Sequence, residues 1–358
     1  MFDVAVVGAT GAVGTTMLRI LEERGFPVTE LRPLASSRSE GRQIDYLGRP
    51  RTVRTLTADA FEGIQIALFS AGATRAREFA PAAVEAGAVV IDNSSAFRMD
   101  PSVPLVVPEV NEHDIEGHSG IIANPNCVAA PLVVALKPIA DAVGLERVIV
   151  SSYQSVSGTG QAAVAELTEQ SAGYLAGAEP EPAVYPHPIA FNALPHIGDF
   201  DESGYTGEEQ KVADETRKML GLPDLAVSAT CVRVPVMQSH SQAVHIETTE
   251  AIDPDAVRRL LMGAPGVVLV DEPALNLYPL PREATGRDEV LVGRIRKDSS
   301  HPRGLALWVV SDNLRKGAAT NAVQIAESLV TPGAVSGNVR PVLPRCRSTR
   351  IQRHRSTP

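Results

Sequence analysis

The sequence has few cysteines and no long apolar run. Its three cysteines, Cys127, Cys231 and Cys346, are too few and too widely spaced for a disulfide framework. No apolar stretch reaches the ~18 residues that a membrane-spanning helix needs. The N-terminus enters a strand pattern directly, without the basic region and cleavage site of a secretory signal. These absences predict a cytoplasmic protein with no membrane partner.

The sequence also has fewer basic than acidic residues. The 33 Lys and Arg are outnumbered by 42 Asp and Glu, for a formal net charge of −9. A general nucleic-acid binder is expected to be basic, so we predict no nucleic-acid partner. The 358 residues, 44% of them hydrophobic, suit a globular protein of two domains. Residues 332–358 are rich in Arg, Pro and Ser, and we predict that they form a basic, disordered tail.

Two kinds of strand pattern divide the chain. In the first part, short apolar strands such as Val4–Val7 and Ile66–Phe69 alternate with helical patterns, which predicts an α/β fold with a doubly wound parallel sheet. From about residue 145, longer strand candidates are interrupted by helices near 161–174, 208–220 and 254–262. This mixture predicts a second, α+β domain with a largely antiparallel sheet.

A glycine turn follows the first strand. Gly8-Ala9-Thr10-Gly11-Ala12-Val13-Gly14 separates that strand from an amphipathic helix, where free helix N–H groups attract a diphosphate. A purely structural turn is the alternative. We predict dinucleotide contacts at Gly8, Thr10, Gly11, Ala12 and Val13.

The region after the second strand indicates which dinucleotide is bound. An NAD-preferring site places Asp or Glu there, whereas this chain has Arg38 and Ser39 with no acid before Glu40. Arg38 and the neighbouring hydroxyls suit a 2′-phosphate, so we predict NADP. A solvated loop arginine is the alternative reading.

Cys127 and His240 are the candidate catalytic pair. Asn124-Pro125-Asn126-Cys127 precedes an apolar helix, and a helix N-terminus lowers the pKa of a thiol and favours a nucleophilic thiolate. A small buried residue is the alternative for Cys127. His240 lies among small polar residues, which suits an acid/base. Cys231, within a strand, is interpreted as a core residue. The histidines lack metal-ligand spacing, so we predict no metal site.

Eight motifs occur in an order that resembles the aspartate-semialdehyde dehydrogenase family, over residues 1 to about 330. They are Gly8–Gly14, Ser94-Ser95-Ala96-Phe97-Arg98, Asn124–Cys127, Gln154-Ser155-Val156-Ser157-Gly158, Tyr185–Asn192, Cys231-Val232-Arg233-Val234-Pro235, Ser239-His240-Ser241 and Trp308–Asn313. The tail from about residue 332 lies outside the resemblance.

The resemblance implies a reaction and an organisation. The reaction is NADPH-dependent reductive dephosphorylation of L-aspartyl 4-phosphate to L-aspartate 4-semialdehyde through a cysteine thioester, in the biosynthesis of lysine (through diaminopimelate), threonine and methionine. The expected domains are a Rossmann-type NADP-binding domain, residues 1–126 completed by a helix over 313–331, and an α+β catalytic and dimerisation domain, residues 127–312. A homodimer or a dimer of dimers is expected.

The resemblance also implies roles for individual residues. Cys127 would be the nucleophile and His240 the acid/base. The substrate contacts would be Arg98 and Lys211 for the phosphate, Arg233 for the α-carboxylate, Glu208 for the ammonium and Gln154 for the acyl group. The contacts at the nicotinamide end of the cofactor would be Ser157, Gly158 and Asn313. Glu209 competes with Glu208, because sequence alone leaves that match uncertain by one residue.

Two other functions remain open. An N-acetyl-glutamyl-phosphate reductase uses the same acyl-phosphate chemistry, but an acetylated amine needs no carboxylate such as Glu208. A non-catalytic paralogue would be expected to lose the thiol or the imidazole, whereas this chain retains Cys127 and His240.

Overall fold

The computed structural model describes residues 1–330, so the predicted tail lies outside the described residues. The first part of the chain contains, in order, β1 (Phe2–Val7), α1 (Ala12–Glu23), β2 (Val28–Ala35), β3 (Gln43–Tyr46), β4 (Arg49–Thr52), β5 (Arg54–Thr55), β6 (Ile66–Phe69), α2 (Ala73–Glu85), β7 (Val89–Asp92), α3 (Pro108–Asn111) and β8 (Ile121–Ala123).

The second part continues with α4 (Ala129–Val143), β9 (Leu145–Gln154), α5 (Gln161–Leu175), α6 (Gly207–Leu220), β10 (Ala226–Arg233), β11 (His240–Thr248), α7 (Pro254–Met262), β12 (Val267–Leu269), α8 (Pro281–Ala284), β13 (Val290–Lys297), β14 (Gly304–Ser311) and α9 (Thr320–Val330).

The first sheet is parallel throughout. Its strand order is β5-β2-β1-β6-β7-β8, with every neighbouring pair parallel. The inner strands are completely buried along runs such as Val4–Val7 and Ile66–Phe69, as expected when helices cover both faces. The predicted α/β fold with a doubly wound parallel sheet is confirmed.

The second sheet is largely antiparallel, as predicted, but its two outer strand pairs are parallel. Its order is β10-β9-β11-β14-β13-β12, with antiparallel pairs in the middle. The outer pairs β10–β9 and β12–β13 are parallel. The chain between β9 and β10 passes through α5 and α6, the kind of long crossover that parallel neighbours require.

The end of the described chain returns to the first sheet. Helix α9 packs against α1, and apolar residues of both helices join Val4 and Leu68 in one buried cluster. The predicted closing helix over 313–331 begins differently, because Arg315–Ala319 form a π-helical turn before α9. In that turn Gly317 lies against the nucleophile candidate: a Cβ at 317 would be 3.0 Å from the Cys127 Cβ. The predicted domain boundaries themselves stay predictions.

Candidate active site

Cys127 and His240 lie side by side between the two sheets. Cys127 ends the loop after β8, two residues before α4, and its Sγ is 3.4 Å from Nε2 of His240. His240 begins β11 and is 1% exposed. The backbone N–H of Ser155 donates to His240 Nδ1 at 3.0 Å. In the neutral imidazole the proton is therefore assigned to Nε2, facing the sulfur.

Burial dominates the electrostatics of this pair. Desolvation, together with the nearby Glu208 carboxylate, raises the pKa of the Cys127 thiol to about 12, although Arg233 and Arg98 act in the opposite direction. The expectation that the helix terminus lowers this pKa is therefore not met in the free protein. Desolvation and the positive charge of Arg233 also hold the pKa of His240 well below its usual value. Without substrate, the pair is a thiol beside a neutral imidazole.

The predicted nicotinamide-end residues surround the imidazole. Asn313 Oδ1 accepts hydrogen bonds from Ser157 Oγ at 3.1 Å and Ser155 Oγ at 3.2 Å. Ser155 Oγ is also 3.1 Å from His240 Nδ1. Gly158 faces the same space, since a Cβ there would lie 3.3 Å from His240 Cε1.

Arg233 presents a buried donor without an acceptor. It is 5% exposed at the end of β10, and its Nη1 donates to the Ser155 carbonyl at 2.6 Å. Its carbon Cζ lies 5.9 Å from the centroid of the Tyr185 ring. Within residues 1–330, its Nε has no hydrogen-bond partner. A buried unpaired guanidinium N–H suits an incoming carboxylate, which can bind it in a bidentate manner.

Glu208 faces the cysteine loop, whereas Glu209 does not. Glu208 Oε1 accepts from the side-chain amides of Asn126 at 2.9 Å and Gln154 at 3.2 Å. Lys211 Nζ is 3.6 Å from Glu208 Oε2. Glu209 instead caps its own helix at Thr206 and accepts from the backbone N–H of Cys231. This geometry favours Glu208 as the substrate contact and gives Glu209 a structural role.

Arg98 is buried and fully engaged with polar partners. It is 7% exposed and donates from Nε to the Asn124 carbonyl and from Nη2 to the Asn93 carbonyl, both at 2.9 Å. Its third partner is the buried Glu215 carboxylate, at 3.0 Å from Nη1. Sequence reasoning missed Glu215 and Ser155. The available signal for Glu215 was its position seven residues after Glu208, on the same helix face.

A cavity separate from the thiol site lies beside the glycine turn. It has a volume of about 510 Å³, and its lining includes Gly8, Thr10, Gly11 and Arg38. Gly8 has φ +85°, and a Cβ there would lie 2.7 Å from the Ser70 carbonyl oxygen, so this position requires glycine. Among residues 1–330 no side chain caps α1, which leaves its first N–H groups available to an anion.

The rest of the cavity suits the adenosine side of a dinucleotide. Thr10 Oγ1 and Ser39 Oγ are 3.5 Å apart, and the predicted contacts Ala12 and Val13 begin α1. The lining also includes Arg75, in the first turn of α2, which sequence reasoning missed. The fit to NADP is good, because exposed Arg38 joins a hydroxyl-bearing segment at the end of β2.

Among residues 1–330, no group of three or more His, Cys, Asp or Glu side chains is arranged to hold a metal ion. None of the described helices is long and apolar enough to span a bilayer.

Known protein families match both parts of the chain. A family model described as "Semialdehyde dehydrogenase, NAD binding domain" matches residues 3–118. A second, described as "Semialdehyde dehydrogenase, dimerisation domain", matches residues 136–316.

Relatives and solved structures agree with these matches. The aspartate-semialdehyde dehydrogenase of Aquifex aeolicus is 55% identical, covering 93% of this chain and 99% of its own length. Aspartate semialdehyde dehydrogenase II of Vibrio cholerae complexed with ASA superimposes with TM-score 0.89 at 50% identity, covering 93% of this chain and 99% of that one. The Candida albicans enzyme with NADP gives TM-score 0.72 at 27% identity, covering 92% and 99%.

Proposed function

This chain belongs to the aspartate-semialdehyde dehydrogenase family, and we propose how its residues carry out the NADPH-dependent reduction of L-aspartyl 4-phosphate to L-aspartate 4-semialdehyde. The relatives support this activity and not that of an N-acetyl-glutamyl-phosphate reductase or a non-catalytic paralogue. The observation that carries the mechanism is the 3.4 Å contact between Cys127 Sγ and His240 Nε2.

Cys127 is the nucleophile. Its sulfur attacks the acyl carbon of the substrate, the bond to the phosphate oxygen breaks, and a thioester forms on Cys127. When bound, NADPH supplies the hydride that reduces this thioester. The resulting thiohemiacetal returns the sulfur to Cys127 and releases the aldehyde. In the free protein burial and Glu208 outweigh the lowering of the thiol pKa by Arg233 and Arg98, so Cys127 is a thiol before the attack. The thiol loses its proton as the S–C bond forms, and this proton leaves with the phosphate.

His240 is the acid/base beside the sulfur. Its neutral form holds the Nε2 proton toward Cys127, where it stabilises a thiolate or a developing oxyanion by a hydrogen bond. To give this proton away without becoming an anion, the imidazole must first carry a second proton on Nδ1. Ser155 Oγ, 3.1 Å from Nδ1, can accept a hydrogen bond from that second proton.

The charged residues around the pair bind the ends of the substrate. Arg233 offers its unpaired Nε to the α-carboxylate, and Glu208 faces the ammonium group. Arg98 and Lys211 contribute the positive charge that a phosphate needs. Gln154, held by Glu208 and Ser152, orients the acyl group beside the thiol.

NADP is the cofactor, and the glycine turn and Arg38 would hold its diphosphate and 2′-phosphate. Gly11, Thr10 and the N-terminus of α1 would bind the diphosphate, and Ser157 and Asn313 would bind the nicotinamide end. The chain forms a dimer through the region matched by the dimerisation family. The sheet face that carries Tyr153 and Trp308, with ring centroids 5.5 Å apart, is the proposed interface, and a dimer of dimers is the proposed larger assembly.

The reverse reaction tests this function. Purified protein, NADP, aspartate semialdehyde and phosphate should yield NADPH, and the yield should depend on phosphate over repeated turnovers. Replacing the substrate with N-acetyl-glutamate semialdehyde should leave little activity. Efficient use of the acetylated aldehyde, or no reduction of NADP with aspartate semialdehyde, contradicts the proposal.

A further inference from the structure

One face of α6 carries charged residues of alternating sign. Glu208, Lys211, Glu215 and Lys218 are spaced by three, four and three residues, which places them on one side of the helix. The first two belong to the proposed substrate site. The last two have no role in the mechanism described above, although both contact the segments that carry it.

Glu215 bridges two parts of the active site. Its side chain is 1% exposed, and its Oε1 accepts from Arg98 Nη1 at 3.0 Å. Its Oε2 accepts from the backbone N–H of Asn126 at 2.6 Å. Asn126 immediately precedes Cys127, so a single carboxylate joins the phosphate-side arginine to the nucleophile loop.

Lys218 fixes the segment that carries Arg98. Its Nζ donates to the backbone carbonyls of Arg98 at 2.7 Å, Asp100 at 2.8 Å and Val103 at 2.9 Å. Together with Glu215, it ties both the guanidinium and the main chain of Arg98 to α6.

A carboxylate is needed at position 215, because both of its oxygens accept from N–H donors. A glutamine would keep one acceptor oxygen and point its NH₂ group at either Asn126 or Arg98. Either orientation removes one of the two links and leaves a buried donor unpaired.

From this geometry we propose that Glu215 is a positioning residue for the phosphate-dependent half of the reaction. It holds the Arg98 guanidinium in a fixed position relative to the Cys127 loop. The inference rests on the proposed function, in which Arg98 contacts the phosphate. Glu215 itself touches neither substrate nor thiol.

The direction in which E215Q changes phosphate binding distinguishes a positioning role of Glu215 from a purely electrostatic one. If Glu215 acted only as a nearby negative charge, E215Q would make the site more positive and strengthen phosphate binding. If it positions Arg98, E215Q weakens phosphate binding despite the gain in net positive charge. We expect the KM for phosphate in the reverse reaction to rise at least ~10-fold, with the affinity for NADP changed less than ~2-fold.

A binding measurement makes the test independent of turnover. Cys127 is alkylated with iodoacetamide at increasing phosphate concentration, and its labelling is followed by peptide mass spectrometry. The phosphate concentration that halves the labelling rate should rise at least ~10-fold in E215Q. In K218M it should rise by a smaller factor, because the guanidinium keeps its carboxylate partner.

E209Q is the matched control. Glu209 is a buried carboxylate on the same helix, but it caps α6 and accepts from Cys231 rather than from Arg98. Its replacement should lower Tm without changing phosphate protection by more than ~2-fold. A half-protecting concentration in E215Q that is unchanged or lower, or a wild type that phosphate does not protect, overturns the positioning role. Failure of the wild type to reduce NADP overturns the proposed function instead.

Discussion

The cofactor cavity and the thiol site are built in opposite ways. The cavity takes Gly8, Thr10 and Gly11 from one continuous turn and adds exposed Arg38. The thiol site gathers side chains from a loop, a helix and several strands, and its Arg233 and His240 are 5% and 1% exposed. Local backbone geometry is enough for the first, whereas the second exists only when both sheets have formed.

This difference determines how charges act in each region. In the solvated cavity, Arg38 contributes a screened interaction with a ligand phosphate. In the buried site, removal from water is the largest influence on the pKa of both Cys127 and His240. Substitutions in the cavity should therefore change cofactor affinity, and substitutions at the buried site should change the reactivity of the thiol and the binding of substrate and phosphate.

The largest effect expected is that of C127A, which separates the two regions completely. Turnover should fall to the level of contaminating wild type, because the sulfur that forms the thioester is removed. NADPH binding, measured by fluorescence titration, should remain within ~2-fold of wild type. Substantial residual turnover would remove Cys127 from the nucleophile role.

R233K tests whether the buried site depends on a planar guanidinium. A lysine keeps the charge but cannot bind a carboxylate through two parallel N–H groups. We expect kcat/KM for aspartate semialdehyde to fall at least ~10-fold, which corresponds to roughly 1.4 kcal/mol. Kinetics equal to wild type would place the carboxylate contact elsewhere.

R38A tests the open cavity alone. The wild type should prefer NADP to NAD, and loss of the guanidinium should reduce that preference by about 10-fold, since one exposed charge contact is removed. The KM for aspartate semialdehyde should not change. Steady-state kinetics with both cofactors provide the measurement, and equal kcat/KM values in the wild type would contradict the assignment of Arg38.

The same contrast explains what the sequence could predict. The glycine turn was recognisable because its function depends on neighbouring residues, and the family motifs identified the fold and the reaction. The parallel outer pairs of the second sheet were missed, because the pattern of apolar residues along a strand does not indicate whether its neighbour runs parallel or antiparallel to it. The raised thiol pKa was missed, because it depends on burial and on Glu208, a residue from a distant helix. The individual site roles and the domain boundaries stay predictions.

The smallest effect we predict concerns Glu208 and the reactivity of the thiol. With the pKa of Cys127 raised to about 12, its alkylation by iodoacetamide should accelerate about tenfold per pH unit up to at least pH 10, without a plateau. After desolvation, the largest cause of that raised pKa is the Glu208 charge, so E208Q should lower the pKa and increase the rate at pH 8 by about threefold. E209Q should leave the rate unchanged, because the Glu209 carboxylate is bound by the backbone N–H groups of Thr206 and Cys231 and does not face the thiol.

Peptide mass spectrometry distinguishes Cys127 from the other cysteines. A wild-type plateau below pH 9 would show that the helix terminus outweighs burial, and an equal rate increase in both variants would attribute the effect to loosening of α6 rather than to charge.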